Sequence, residues 1–177
     1  MNRAFSISAL FLIIFLMVLR CVRSADDIVQ DTCKKIAAND PELSFDFCMK
    51  SLGSDSESRK VDVEGLGLIG LRLLQAKFSG TIEYIKQLQK RKSEPRLQKA
   101  LSLCLLAYST SERKDLTPFY KAKRYLDLNI WVSGMITSED TCDTQFSMKG
   151  GMVPPLTKRN ADVYQLSAIV LGIMAIL

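Results

Sequence analysis

The sequence predicts an all-α protein: an N-terminal helical hairpin packed on an up-down-up-down four-helix bundle, held by two disulfides. Three observations point there. Apolar residues recur at steps of three and four through each long run of the chain. Short polar, Pro- or Gly-bearing breaks separate those runs. Four cysteines, an even number, remain once the N-terminal leader is set aside. Short connections return each helix beside the one before it, which makes neighbours antiparallel.

The leader comes first. "MNR" is a short basic start, Ile7 to Leu19 form an apolar core, and Val22 and Ser24 stand at the −3 and −1 positions of a small-residue cleavage site. Residues 1–24 read as a secretory signal peptide cut after Ser24, with an apolar core short of the roughly 20 residues a membrane span needs. The expected mature domain is 25–177, divided into a hairpin (25–58) and a bundle (59–177). The leader removes Arg3, Arg20 and Arg23 from 24 basic residues, leaving 21 against 19 acidic ones, so the net charge falls from +5 to +2. About 150 residues suffice for one domain with its own core.

Cys21 leaves with the leader. Cys33, Cys48, Cys104 and Cys142 stay, and in an oxidising compartment they read as two disulfides with three possible pairings. A four-thiolate zinc site uses closely spaced cysteine pairs; here 14 and 37 residues intervene within successive pairs. No metal and no cofactor is expected. Histidine is absent, which removes Ser-His-Asp and Cys-His catalysis and the usual proton shuttle near neutral pH.

In chain order, "ADDIVQDTCKKIAAN" and "PELSFDFCMKSLG" are two short helical segments around Asp40-Pro41, stopped by Gly53 and followed by the turn "SDSES". A bond between Cys33 and Cys48 would lock them as a hairpin. In the long run from Val61, Leu71, Leu74, Phe78, Ile82, Ile85 and Leu88 keep the helical period. Gly65, Gly67, Gly70 and Gly80 each cost about 1 kcal/mol against alanine, a loss that close approach of another helix could repay. "GLGLIG" lacks both a preceding strand and a Gly-Lys-Ser/Thr continuation, so it is no phosphate loop. Ser93 as N-cap and Pro95 in the first turn open the next helix, with Leu97, Leu101, Cys104 and Tyr108 on one face. Pro118 breaks or restarts a helix; from Phe119 the chain resumes, with Phe119, Ala122, Leu126 and Ile130 spaced for burial. "MKGGMVPPL" is a connector. The final helix carries Val163, Leu166, Val170, Ile173 and Leu177; its apolar end is a bundle wall rather than the tail of a lipid-anchor signal. Cys104 and Cys142 then fall on antiparallel neighbours, and pairing them leaves no topological conflict with 33–48.

The chemistry-bearing groups are few. Lys86, Lys90, Arg91, Lys92, Arg96 and Lys99 form one basic cluster and Lys121, Lys123 and Arg124 another. They read as solvated ends that suit an acidic polymer such as pectin, or an acidic protein face, rather than nucleic acid. Carboxylates pair at Asp26–Asp27 and gather at Glu139, Asp140 and Asp143 beside Cys142; catalysis there would need a pocket and a second functional group. Trp131 is a core or boundary residue.

The ordered stretches "TCKKIAANDPELSFDFCMKSL", "DVEGLGLIGL", "LSLCLLAY" and "YLDLNIWVSGMITSEDTCDTQF", with a leader before and an apolar helix after, carry a family likeness. The chain closely resembles the plant invertase and pectin methylesterase inhibitor family, within it the branch labelled invertase inhibitors that includes tree-pollen allergens. The resemblance implies Cys33–Cys48 and Cys104–Cys142 disulfides and a secreted, apoplastic protein that is not an enzyme. It implies a one-to-one complex that covers the active-site cleft of pectin methylesterase or acid invertase. The family's Tyr-x-x-x-Asn element falls on Tyr125 and Asn129, with Ser133 one turn on and Thr141 before the fourth cysteine; Asp143 is added as an electrostatic partner. The Pro-Lys-Phe motif of invertase inhibitors is missing from "RYLDLNIWV", which ranks pectin methylesterase ahead of invertase. A non-inhibitory helical-bundle ligand is the alternative from another class. No membrane partner is expected after leader cleavage.

Overall fold

Asp40 and Ser44 decide where the hairpin turns. Asp40 Oδ1 accepts from the Glu42 amide at 3.0 Å, and Ser44 Oγ accepts from the Phe47 amide at 3.2 Å, capping the second helix. In the computed structural model, which describes residues 28–113, 115–147 and 154–177, α1 covers 28–39 and α2 Phe45–Gly53. The expected leader and its cut after Ser24, the Asp26–Asp27 pair, Lys114 and residues 148–153 of the connector lie outside the described residues. A 3₁₀ turn, Ser56–Arg59, follows α2. Then come α3 (Val63–Gln89), α4 (Pro95–Ser111), the short α5 (Thr117–Lys121), α6 (Tyr125–Ser147) and α7 (Thr157–Ile176). No strand occurs among the described residues.

The bundle is α3–α4–α6–α7, each packed on the next and α7 back on α3. Cross-helix pairs show that all four seams are antiparallel. Gln89 meets Ser102 and Ser79 meets Glu112 between α3 and α4. Cys104 meets Cys142 while Ser138 reaches Ala107 between α4 and α6. Asn160 meets Asp143 between α6 and α7. Lys77 meets Asp162 while a Cβ on Gly67 would meet Ile173 between α3 and α7. The expected Leu71, Leu74, Phe78, Ile82, Ile85, Val163, Leu166, Val170 and Ile173 are buried, so the apolar end of α7 forms a wall of the core.

Both disulfides implied by the resemblance are present, Cys33–Cys48 and Cys104–Cys142, with Cα atoms 5.8 and 4.6 Å apart. One staples the hairpin; the other ties α4 to α6. The hairpin docks on α7 through Gln165, whose amide donates to the Glu42 carbonyl at 2.7 Å and accepts from the Ser44 amide at 2.8 Å. Close approach explains two glycines. A Cβ on Gly172 would lie 2.9 Å from Ile36 Cβ of α1, and one on Gly67 would overlap the Tyr120 hydroxyl.

Three expectations need correction. Ser93 is not the N-cap of α4: Glu94 holds that position without a side-chain bond, and Ser93 Oγ instead accepts from Gln98 Nε2 at 2.7 Å. The run from Phe119 is two helices, because Lys123 adopts φ 55° and the chain turns between α5 and α6. The phase of α6 is therefore not set by Phe119 and Ala122. Leu126 and Ile130, expected to be buried, are 79% and 63% exposed, and Ala122 is exposed in the turn. The buried row is Leu128, Val132, Met135, Cys142 and Phe146.

Candidate functional site

Cys142 must face α4 to bond Cys104, and this fixes which side of α6 is outside. At about 100° per residue, Leu128, Val132 and Met135 fall on the side of Cys142. Leu126, Asn129, Ile130, Ser133 and Thr137 fall opposite. Leu126, Asn129, Ile130 and Thr137 are exposed and Ser133 is half-buried. Ser133 Oγ donates to Asn129 Oδ1 at 3.4 Å, and Thr137 Oγ1 donates to the Ser133 carbonyl at 3.1 Å. The outer face thus alternates two large aliphatic side chains with a short polar row. Its backbone cannot shift easily, since the core behind it is packed and the disulfide ties it to α4.

The other sequence-selected residues are spread around the same helix. Tyr125 is half-buried and meets Tyr120 edge-on with ring centroids 5.6 Å apart. Thr141 lies roughly 160° around the axis from Tyr125; it is half-buried, and its carbonyl accepts from Gln145 Nε2 at 3.4 Å. Asp143 faces α7. Asn160 Nδ2 donates to its Oδ1 at 2.6 Å, and Tyr108 Oη donates to Asn160 Oδ1 at 2.8 Å. Asn129 and Ser133 are brought together; Tyr125 borders them; Thr141 and Asp143 stand apart. Arg113 stacks 3.5 Å above the Trp131 ring, which makes the tryptophan a half-buried boundary residue.

The exposure of Leu126 and Ile130 is not evident from the sequence pattern. Counting back from Cys142 in steps of three and four would have found the buried row and, by elimination, the outer one.

Electrostatics separate the carboxylates. Burial pushes Glu139 up to about 7, aided by the charges of Asp143 and Asp140. Burial also raises Asp143, against the lowering effect of its bond from Asn160. Tyr108 is held well above the usual phenol range, first by burial and then by the same two carboxylates. The basic clusters sit at opposite ends of the bundle, one where α3 ends and α4 begins, the other between α5 and α6. Several of their members pair locally: Lys86 with Glu83 at 2.7 Å, Lys123 with Glu64 at 3.1 Å, Arg124 with Asp127 at 2.8 Å. Among the described residues no group of three or more potential metal ligands comes together, and no helix is long and apolar enough to cross a membrane.

Comparison with known proteins adds a family. The model described as plant invertase/pectin methylesterase inhibitor matches residues 27–173. A Platanus acerifolia protein named "Putative invertase inhibitor" is 38% identical over 179 aligned residues, covering 100% of this chain and 99% of that one. A protein of the same name from Platanus orientalis is 39% identical over 153 residues, covering 85% and 90%. A "Pectinesterase inhibitor" from Actinidia deliciosa is 25% identical over 176 residues, covering 97% and 92%.

Proposed function

Because the chain belongs to the plant invertase/pectin methylesterase inhibitor family, a family of inhibitors and not of catalysts, we propose that it caps the active-site cleft of a plant pectin methylesterase. It would act as a secreted protein of the apoplast, one inhibitor per enzyme. The outer face of α6 lies in the cleft and excludes polymer substrate. Asn129 and Ser133 donate and accept hydrogen bonds at the centre and Tyr125 borders them, while Thr141 and Asp143, which stand apart from that centre, would act at its margin, Asp143 as an electrostatic partner.

The observation that carries this reading is the exposure of Leu126 and Ile130 beside Asn129 and Ser133. Isolated exposed aliphatics are common. Two of them one turn apart, on a rigid helix face and interleaved with polar groups, make the apolar anchor and satisfied rim of a protein interface. Rigid elements fit a preformed cleft with little rearrangement, and steric exclusion needs no reactive group, so the absence of histidine is no handicap. The missing Pro-Lys-Phe element favours the esterase.

A second reading rests on a separate observation. The Platanus relatives at 38% and 39% identity carry the invertase inhibitor name, and invertase is the target it points to. The test is a parallel titration of the disulfide-intact protein against a plant pectin methylesterase and an acid invertase at mildly acidic pH. Stoichiometric inhibition of the esterase supports the proposal. Inhibition of invertase alone moves the target to the second reading, and inhibition of neither leaves a non-inhibitory helical-bundle ligand.

A further inference from the structure

Away from α6, on the side of the molecule where α2 crosses α3 and α7, a cleft of about 610 Å³ opens to solvent. Its floor is apolar, built from Phe47, Leu73 and Leu166. Its walls carry four cations, Lys50, Lys77, Lys158 and Arg159, against a single carboxylate, Asp162. Asp162 does not cancel them; it organises them. It accepts from Lys77 Nζ at 2.8 Å and from Lys158 Nζ at 3.2 Å, which fixes both ammonium groups at the wall. Each ammonium has three donors, so both retain capacity for a ligand. Arg159 is steadied over the Tyr84 ring at 4.2 Å, and Lys50 stands exposed on the rim.

Gly80 supplies an independent observation. It sits inside α3, where glycine is unfavourable relative to alanine. A Cβ there would meet nothing within 4 Å, unlike those on Gly67 and Gly172. Packing does not require this glycine. What it does is lower the wall of the cleft, which it lines.

We propose that this cleft binds a short acidic oligosaccharide, an oligouronate whose sugar rings bear free carboxylates. A pyranose ring presents an apolar C–H face that fits the Phe47 and Leu73 floor. Its carboxylates meet the cations of the wall, and its hydroxyls meet Ser51 and Ser54 at the edge. An inorganic anion would leave the apolar floor unused, and a neutral sugar would leave the excess of four cations over one carboxylate uncompensated. The inference does not depend on which enzyme the α6 face binds, because the two surfaces share no residue.

The probe is trigalacturonate, titrated calorimetrically into the disulfide-intact protein at low and at physiological ionic strength. Saturable one-to-one binding that weakens with salt is expected, with no heat from the fully methyl-esterified trimer. Gly80→Phe, which fills the cleft, abolishes binding. Lys50→Glu, on the exposed rim where folding is not at stake, weakens it about fivefold or more. The proposal is overturned by an absence of saturable binding, by equal binding of the methyl-esterified trimer or of inorganic phosphate, or by unchanged affinity in Lys50→Glu and Gly80→Phe.

Discussion

Leu126 and Leu128 lie two positions apart on α6 and have opposite environments, 79% and 0% exposed. Their substitutions should therefore separate stability from binding. Leu128→Ala leaves a cavity in the core and is expected to cost about 2–5 kcal/mol. Leu126→Ser should stay within about 0.5 kcal/mol of the parent, as chemical denaturation would measure. Inhibition should reverse that order. As an interface anchor, Leu126 is worth about 2 kcal/mol, or roughly thirtyfold in inhibition constant, and Leu126→Ser with Ile130→Ser should lose more. If the double variant inhibits the esterase as well as the parent, the α6 face is not the contact surface. Gly67 offers a third case, since an added Cβ collides with the Tyr120 hydroxyl, which donates to the Glu64 carbonyl at 2.9 Å. Gly67→Ala should destabilise despite the better helix propensity of alanine, and a higher melting temperature would contradict that packing.

At the scale of elements, the two staples close loops of different length, with sequence separations of 15 and 38. Chain entropy assigns them about 3 and about 4 kcal/mol respectively. Replacing Cys104 and Cys142 by serine should cost the larger amount and loosen α6 against α4, so that inhibition falls with stability. Replacing Cys33 and Cys48 should loosen the hairpin and leave the α6 face in place. Guanidinium unfolding alongside inhibition titration would distinguish them. The same elements show what the sequence made legible. In α3 and α7 the apolar period is long and uninterrupted, and the residues expected to be buried are buried except at the ends, where Leu88 is half-buried and Leu177 is exposed. In α6 the period was carried across Lys123, a lysine in a left-handed conformation that glycine or asparagine usually marks. No local signal announces that turn, so a phase continued from Phe119 puts Leu126 and Ile130 inside. Asn129 and Ser133 are singled out by the motif they match, and the structure brings them together on the outer face of α6. The cationic cleft is not legible in this way, because Lys50, Lys77 and Lys158 come from three helices far apart in sequence.

The whole molecule should respond to pH in a direction set by the α4–α6–α7 seam. Glu139 is 8% exposed, and burial, with the charges of Asp143 and Asp140, raises it to about 7. A carboxyl whose folded pKa exceeds its unfolded value stabilises the fold when protonated. Its contribution is fully present below about pH 4.5 and is lost as pH climbs through about 7. Asp143 shifts the same way. Asp162 works in the opposite sense: burial favours its neutral form, but the bonds from Lys77 and Lys158 prevail and lower it. Its share is therefore lost only as pH falls below the usual carboxylate range, outside the interval in question. Between pH 5 and 8 the seam governs, and the Glu139 shift corresponds to on the order of 3 kcal/mol, or about 5–10 °C in melting temperature for a chain of this size. Thermal unfolding followed by circular dichroism should thus show a melting temperature that falls from pH 5 to pH 8. Glu139→Gln, which keeps the shape and cannot ionise, should match the parent in acid, exceed it at pH 8, and flatten most of the slope. A parent melting temperature that is flat or rising across that interval would mean the seam admits enough water to ionise Glu139 without cost.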